Sequence, residues 1–143
     1  MTHSEQRFSN KAGEEYGLFS LALPHQDEIQ EKSVAILTQH FSKEKPRLEI
    51  LEIGFGTGIT SHELLLQDSR IHLTALDNEP AMLEKATAKL ENFKSERFTL
   101  KIIDALEYLK NQPENSFDGI VSVWVLHNLH EGFRLQILQE IYR

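Results

Sequence analysis

The feature that most constrains the fold of this chain is an apolar segment that runs straight into a glycine-rich turn. Its sequence is Leu48-Glu-Ile-Leu-Glu-Ile-Gly-Phe-Gly-Thr-Gly58, followed by an amphipathic helical pattern over residues 60–67. Glycine accepts positive φ angles and has no Cβ, so such a turn brings bare backbone close to a ligand. A strand, a glycine-rich turn and a helix in this order predict an α/β fold with a binding site for a nucleotide-like ligand.

The rest of the chain continues this alternation of strands and helices. The predicted strands cover residues 48–53, 71–76, 98–103 and about 117–123. The predicted helices cover residues 25–41, 60–67, a stretch opened by Pro80, residues 105–110 and a final stretch from about Gly132. Alternating strands and helices favour parallel βαβ units with right-handed crossovers, in a single domain spanning residues 1–143.

The composition of the chain limits which partners and which cellular location are expected. The formal net charge of −7 and the scattered Lys and Arg residues make a nucleic acid an unlikely main partner. The chain has no cysteine, which excludes a disulfide framework, a thiolate metal site and a cysteine nucleophile. Neither a signal peptide nor an apolar run of about 20 residues is present, so we expect no membrane partner and a cytoplasmic location.

The ends of the four predicted strands carry the candidate site. Ligands of open α/β sheets sit outside the carboxyl ends of the strands. The first strand ends in the glycine turn, the second at Asp77, the third at Asp104 and the fourth near Trp124. Four consecutive strand ends therefore bring glycine, acidic or aromatic residues to one edge of the sheet.

Two cofactor classes use a turn of this kind. A nicotinamide-dependent oxidoreductase places glycines at the first, third and sixth positions of the turn, and Asp77 would suit its ribose. This chain has Ile59 at the sixth position, and Gly58 lies one residue early. The spacing speaks against an NAD(P)-dependent Rossmann enzyme, which stays the alternative.

The chain resembles the class I S-adenosylmethionine-dependent methyltransferases, in their small-molecule branch. The matching motifs, in order, are Phe8-Ser-Asn-Lys-Ala-Gly-Glu-Glu-Tyr16, Glu52-Ile-Gly-Phe-Gly-Thr-Gly58, Ala75-Leu-Asp-Asn78 with Met82, Asp104-Ala105, and Phe117-Asp-Gly-Ile-Val-Ser-Val-Trp-Val-Leu-His-Asn128. The resemblance implies a Rossmann-like doubly wound parallel sheet with strand order 3-2-1-4. It also implies S-adenosyl-L-methionine as cofactor and methyl transfer to a small-molecule acceptor.

The resemblance assigns most of these motif residues to the cofactor. They are Tyr16, Glu52, Gly54, Phe55, Gly56, Gly58, Asp77, Asn78, Met82, Asp104, Ala105, Val123 and Trp124. Glu52 would meet the cationic amino group, and Asp77 would accept hydrogen bonds from two ribose hydroxyls. Asn78 and Met82 would line the adenine slot, with Asp104 accepting from the adenine amino group and the Ala105 N–H binding a ring nitrogen.

The same residues also have simpler structural explanations. The glycines alone would make a tight turn, and Asp77 or Asp104 would suit the cap of the helix that follows. Met82 would suit the core, and Tyr16 would suit a surface anchor. These explanations stay open at the level of sequence.

The catalytic residues are harder to predict. Methyl transfer needs alignment of the nucleophile and exclusion of water, and a base only when the nucleophile carries a proton of high pKa. His127 is the candidate base or acceptor contact, and His130, three residues on, would point the same way in a helix. With Glu131 alone nearby, the pair has no recognised ligand spacing, so we expect no metal.

The sequence contains no counterpart of the family's Pro-Gly-Gly turn or of its strands five to seven. Strand four would then be a bare edge, which invites pairing with another chain. We therefore expect either part of a longer protein or an edge covered by a partner or a second copy, as in a homo-oligomer. A non-catalytic cofactor- or partner-binding domain is a further alternative.

Overall fold

The computed structural model describes residues 22–143, and the candidate residue Tyr16 lies outside this range. The helices are α1 Gln26–His40, α2 Ile59–Gln67, α3 Ala81–Leu90, α4 Ala105–Lys110 and α5 Glu131–Tyr142. The strands are β1 Leu48–Ile53, β2 Ile71–Asp77, β3 Phe98–Ile102 and β4 Gly119–Val121. Short 3₁₀ turns, Ser95–Arg97 and Leu126–Asn128, precede β3 and α5.

The four strands form one parallel sheet in the order β3-β2-β1-β4, which confirms the predicted topology. Ile53 at the end of β1 lies beside Leu76, and Asp77 at the end of β2 lies beside Ile102. The carboxyl ends of β1, β2 and β3 therefore meet at one edge of the sheet. This register is what brings the candidate residues together.

Apolar side chains fill both faces of the sheet, as expected of parallel strands covered on each side. One core joins α1, α2 and α3 to residues such as Ile50 and Leu73, and the other joins α4 and α5 to residues such as Leu51 and Ile53. Successive side chains of a strand point to opposite faces. Glu52 therefore shares its face with Ile50, on the side covered by α2 and α3.

The ends of several elements differ from the sequence prediction. Strand β4 has three residues instead of the predicted seven, and it ends before Trp124, whose φ is +64°. Helix α1 begins one residue late because His25 has a left-handed backbone conformation with φ 61°. Strand β3 ends at Ile102, and α5 begins at Glu131, one residue before the predicted start.

Strand β4 pairs only with β1 among the described strands, so its other side is a sheet edge. Beyond it, α5 buries Ile137 and leaves Leu135, Leu138 and Tyr142 exposed. Within residues 22–143, every helix falls short of the length or the apolar character that a membrane crossing requires.

Candidate functional site

The glycine turn between β1 and α2 forms the centre of the site. Gly54, Gly56 and Gly58 all have positive φ angles, of 82°, 51° and 85°. The N–H groups of Gly54 and Phe55 both donate to the Leu76 carbonyl, at 2.7 and 3.0 Å. The turn is therefore fastened to the end of β2, and its left-handed conformations require glycine.

Two of the three glycines also leave room for neighbouring elements. A Cβ on Gly54 would lie 2.2 Å from Val125 Cγ2, and one on Gly58 would lie 3.1 Å from Ala86 Cα. The segment after β4 thus packs against the start of the turn, and α3 packs against its end. Close packing explains Gly54 and Gly58 within the fold, and their contact with a cofactor stays a prediction.

Asp77 links the glycine turn to the segment that enters α3. Its Oδ2 accepts from the Gly56 N–H at 2.8 Å, and its Oδ1 accepts from the Glu79 N–H at 2.9 Å. Burial raises the pKa of this carboxyl, against the lowering effect of the backbone donors. The backbone donors are the N–H groups of Gly56, Glu79 and Asn78, so Asp77 is held in place at the end of β2 by the segment on either side of it.

Glu52 lies beneath the turn and is only 1% exposed. The Ser61 hydroxyl on α2 donates to its Oε2 at 2.5 Å. The pKa of Glu52 is raised to about 8, mainly by burial. The Ser61 hydrogen bond lowers this pKa, and the nearby Asp77 charge raises it. The chain thus keeps a buried carboxyl where an apolar residue would otherwise complete the core.

Glu79 adds a third acidic side chain that the sequence prediction missed. Its Oε2 is buried and has no hydrogen-bond partner, while Oε1 accepts weakly from the Ala81 N–H at 3.4 Å. Glu52, Asp77 and Glu79 take part in none of the ion pairs formed among the residues that the structure describes. The site is therefore acidic, largely buried and without a counter-ion from these residues.

Asp104 begins α4 at the end of β3. Its Oδ1 accepts from the Glu107 N–H at 3.0 Å, so it is the N-cap of this helix. The structural explanation of Asp104 is therefore confirmed, and a contact with adenine stays a prediction. Ala105 is the first residue of α4, and its N–H is among those that a helix start leaves without an intrahelical partner.

Met82 and Phe55 belong mainly to the core. Both are 3% exposed and lie in the cluster formed with α2, α3 and β2. The expectation that Met82 is partly a core residue is confirmed. Asn78 lies half-buried between Asp77 and Glu79, at the same strand end.

The segment after β4 carries Val123, Trp124 and His127. Val123 packs against the core, whereas Trp124 is 38% exposed and has a φ of 64° that is unusual for a bulky side chain. The Asn128 side chain donates to the Trp124 carbonyl at 3.0 Å, and the Trp124 and His127 rings meet edge-to-face at 5.9 Å. Because Val125 contacts Gly54, this aromatic pair stands next to the glycine turn.

His127 and His130 do not share one helix. The 3₁₀ turn ends at Asn128, and Leu129 is extended, with φ −87° and ψ 145°. His130 is instead the N-cap of α5, and its Nδ1 accepts from the Gly132 N–H at 3.3 Å. Within residues 22–143 no cluster of three or more His, Cys, Asp or Glu side chains has a geometry suited to a metal ion.

Three contacts that organise the site were not predicted from the sequence. They are the Ser61 hydrogen bond to Glu52, the placement of Glu79 with its Oε2 buried, and the contact of Val125 with Gly54. Ser61 gave a weak signal, since it is a polar residue inside an apolar helical pattern. The other two depend on how separate elements meet.

Comparison with known proteins places this arrangement in a family. A family model described as a methyltransferase domain matches residues 50–143. Malonyl-[acyl-carrier protein] O-methyltransferase of Paenibacillus sp. (strain JDR-2) is 36% identical over 83 residues, which are 55% of this chain and 30% of that protein. The family model thus covers β1 from Ile50 onward, the glycine turn and all the strand ends described above.

Solved structures share the fold. A candidate S-adenosyl-L-methionine-dependent methyltransferase of Methanococcus maripaludis has a TM-score of 0.72 at 22% identity, covering 100% of this chain and 62% of that one. The N-methyltransferase NodS of Bradyrhizobium japonicum, solved with S-adenosyl-L-homocysteine, has a TM-score of 0.67 at 18% identity, covering 85% and 57%. The chain thus spans about three fifths of these structures. It belongs to the methyltransferase-domain family and has the Rossmann-like fold of the class I S-adenosylmethionine-dependent methyltransferases.

Proposed function

We propose that this chain binds S-adenosyl-L-methionine at the carboxyl ends of its strands and transfers the methyl group to a small-molecule acceptor. The observation that carries the proposal is the acidic character of the glycine turn. Glu52 and Asp77 flank it, with no counter-ion from the described residues. A buried acidic site without a counter-ion favours a ligand that brings positive charge.

The residues present fit this cofactor better than a nicotinamide dinucleotide. S-adenosylmethionine carries an ammonium and a sulfonium, whereas NAD carries a negatively charged pyrophosphate. A pyrophosphate beside the turn would bring further negative charge to a buried acidic site, whereas an ammonium group would pair with the ionised form of Glu52. The Asp77 carboxylate at the end of β2 suits the hydroxyls of a ribose, and a charge-assisted hydrogen bond of this kind contributes about 1.5–3 kcal/mol.

The remaining contacts follow from the strand ends. We assign the adenine to the region of Asn78, Met82, Asp104 and Ala105, where Met82 supplies an apolar wall. The Ala105 N–H at the start of α4 is available to a ring nitrogen. Val123 and Trp124, which follow β4 next to the glycine turn, are assigned to the same cofactor site.

When bound, the cofactor supplies an electrophilic methyl group on a sulfonium whose departure leaves a neutral thioether. The chain's part is to orient the acceptor in line with that methyl and to keep water away. Trp124, held in a left-handed conformation beside the turn, is placed to form an acceptor-side wall. Strained residues of this kind cluster at functional sites. The exposed His127 ring beside it is the candidate base.

The acceptor is a small molecule in this proposal, and the similar Paenibacillus protein gives a first compound class to test. Its name specifies a malonyl group on an acyl-carrier protein, which is a carboxylate acceptor. A panel of radiolabelled transfer assays should therefore begin with acyl thioesters bearing a free carboxylate. Phenols and amines of similar size form the comparison classes.

Calorimetric titration tests the cofactor directly. We expect binding of S-adenosylmethionine and S-adenosylhomocysteine, and no heat with NADH. Asp77→Ala should weaken binding by at least about tenfold, because it removes charge-assisted hydrogen bonds. Glu96→Ala is the matched control, since this exposed residue precedes β3 at the opposite end of the sheet. Undiminished binding by Asp77→Ala would contradict the assignment.

A further inference from the structure

Glu52 is the one fully buried carboxyl in the described part of the chain, and its contacts define an unusual environment. It lies on the face of β1 covered by α2 and α3, and it is 1% exposed. Among the described residues, Ser61 is the only donor to its side chain, and Ser61 is itself fully buried. One neutral hydroxyl is a weak compensation for a buried negative charge.

Within residues 22–143, the other groups around Glu52 do not supply a positive charge. Asp77 on β2 is negative, and Glu79 lies beyond it. From α3, the side chains in this core are the apolar Met82, Ala86 and Leu90. Just after β4, the Ser122 hydroxyl donates to the Ile53 carbonyl at 3.1 Å. His62, the residue after Ser61, directs its ring to Phe93 and Glu63, with ring centroids 5.2 Å apart in the aromatic pair.

We propose, on the basis of the function proposed above, that Glu52 is protonated in the free protein and releases this proton when the cofactor's ammonium group binds. Ser61 is then its positioning residue, which holds Oε2 beneath the glycine turn. The O–H bond of the carboxyl breaks, the electron pair stays on oxygen, and the proton passes to the buffer. The resulting carboxylate pairs with the ammonium, so nothing is oxidised or reduced.

The number of protons released depends on pH in a defined way. The Glu52 pKa is about 8, so free Glu52 carries its proton at pH 7 and has lost most of it at pH 9. The ammonium group of S-adenosylhomocysteine lies beside its own carboxylate, which holds its proton to a higher pH than that of a chain N-terminus. Binding at pH 7 therefore releases about one proton from Glu52. The release declines as pH rises through about 8, because free Glu52 is then already ionised.

Calorimetry in buffers of different ionisation enthalpy measures this proton number without any turnover. The probe is S-adenosylhomocysteine, which has the same amino acid portion as S-adenosylmethionine. We expect release of about one proton at pH 7 and little release at pH 9, with the decline centred near the Glu52 pKa of about 8. Methylthioadenosine, which lacks the amino acid portion, should bind without releasing a proton.

Substitutions at Glu52, Glu49 and Ser61 test whether the released proton comes from Glu52. Glu52→Gln keeps the shape of the side chain and should abolish release at pH 7. Glu49→Gln is the matched control on the same strand; its side chain is 41% exposed and paired with Arg47, so release should persist. Ser61→Ala removes the hydrogen bond that lowers the Glu52 pKa, so the decline in proton release should move to higher pH.

The outcomes separate this inference from the function on which it rests. Absence of binding by either adenosyl compound would overturn the proposed function, and this inference with it. Binding without proton release at pH 7, or equal release by Glu52→Gln, would overturn the inference alone. A decline in proton release that stays at the same pH in Ser61→Ala would remove the role given to Ser61.

Discussion

At the scale of single residues, Glu52 links the stability of the free protein to pH. Its pKa is about 8 in the folded chain, compared with an ordinary value of 4.5. A raised pKa stabilises the fold fully below the ordinary value, and this contribution is lost as pH rises towards the folded value. The buried neutral carboxyl therefore stabilises the protein in acid and not in base.

We expect the free energy of unfolding to fall as pH rises from about 5 to about 8, by up to about 1.4 kcal/mol per pH unit from Glu52. Urea unfolding at a series of pH values measures this slope. Glu52→Gln cannot ionise and should show a flatter profile, and the difference between the two isolates Glu52 from Asp77. Equal slopes would mean that Glu52 is ionised in the folded chain at neutral pH.

At the scale of elements, the glycine turn is fixed by what packs against it. Gly58→Ala would place a methyl group 3.1 Å from the α3 backbone at Ala86, at a φ of +85°. Because backbone cannot move aside as a side chain does, we expect a loss of about 1–3 kcal/mol in unfolding free energy. Denaturant unfolding of the variant measures this loss.

Gly132→Ala supplies the matched control for this substitution. Gly132 lies in the first turn of α5, and an added methyl would lie 3.8 Å from His130 Nδ1, which is an ordinary contact. Alanine is a better helix former than glycine by about 0.5–1 kcal/mol. The control should therefore be neutral or stabilising, and an equal loss in both variants would contradict the packing explanation for Gly58.

Helix α4 offers a way to separate the structural role of Asp104 from its predicted contact with adenine. Asp104→Ser keeps an N-cap oxygen on a shorter side chain, so the unfolding free energy should change little. Asp104→Ala should lose about 1 kcal/mol, because it removes the cap. Weaker binding of S-adenosylhomocysteine to the stable serine variant would support the adenine contact, and unchanged affinity would leave Asp104 as a cap alone.

At the scale of the whole molecule, the open side of β4 bears on association. An unpaired strand edge presents backbone groups to a second chain, and the net charge of −7 opposes close approach. We expect a homo-oligomer in size-exclusion chromatography with light scattering, with association strengthened by salt because salt screens the repulsion. A monomeric mass at every salt and protein concentration would contradict this prediction.

The sequence by itself determined the order of the elements and the nature of the strand ends. Apolar runs followed by glycine or Asp have a local physical cause, since strand burial and turn geometry act over a few neighbouring residues. This is why β1, the glycine turn and the place of Asp77 follow from sequence. The sequence did not predict the bounds of β4 correctly, because the strand ends before Trp124, where the backbone turns.

Only the tertiary structure decided what surrounds those strand ends. Ser61 meets Glu52 because α2 crosses the face of β1 that Glu52 shares with Ile50, and Val125 fills the space above Gly54 because the segment after β4 returns to the turn. Both contacts join elements that are separate along the chain. Burial then sets the ionisation of Glu52, since desolvation depends on the whole surroundings of a carboxyl group and not on its neighbours in sequence.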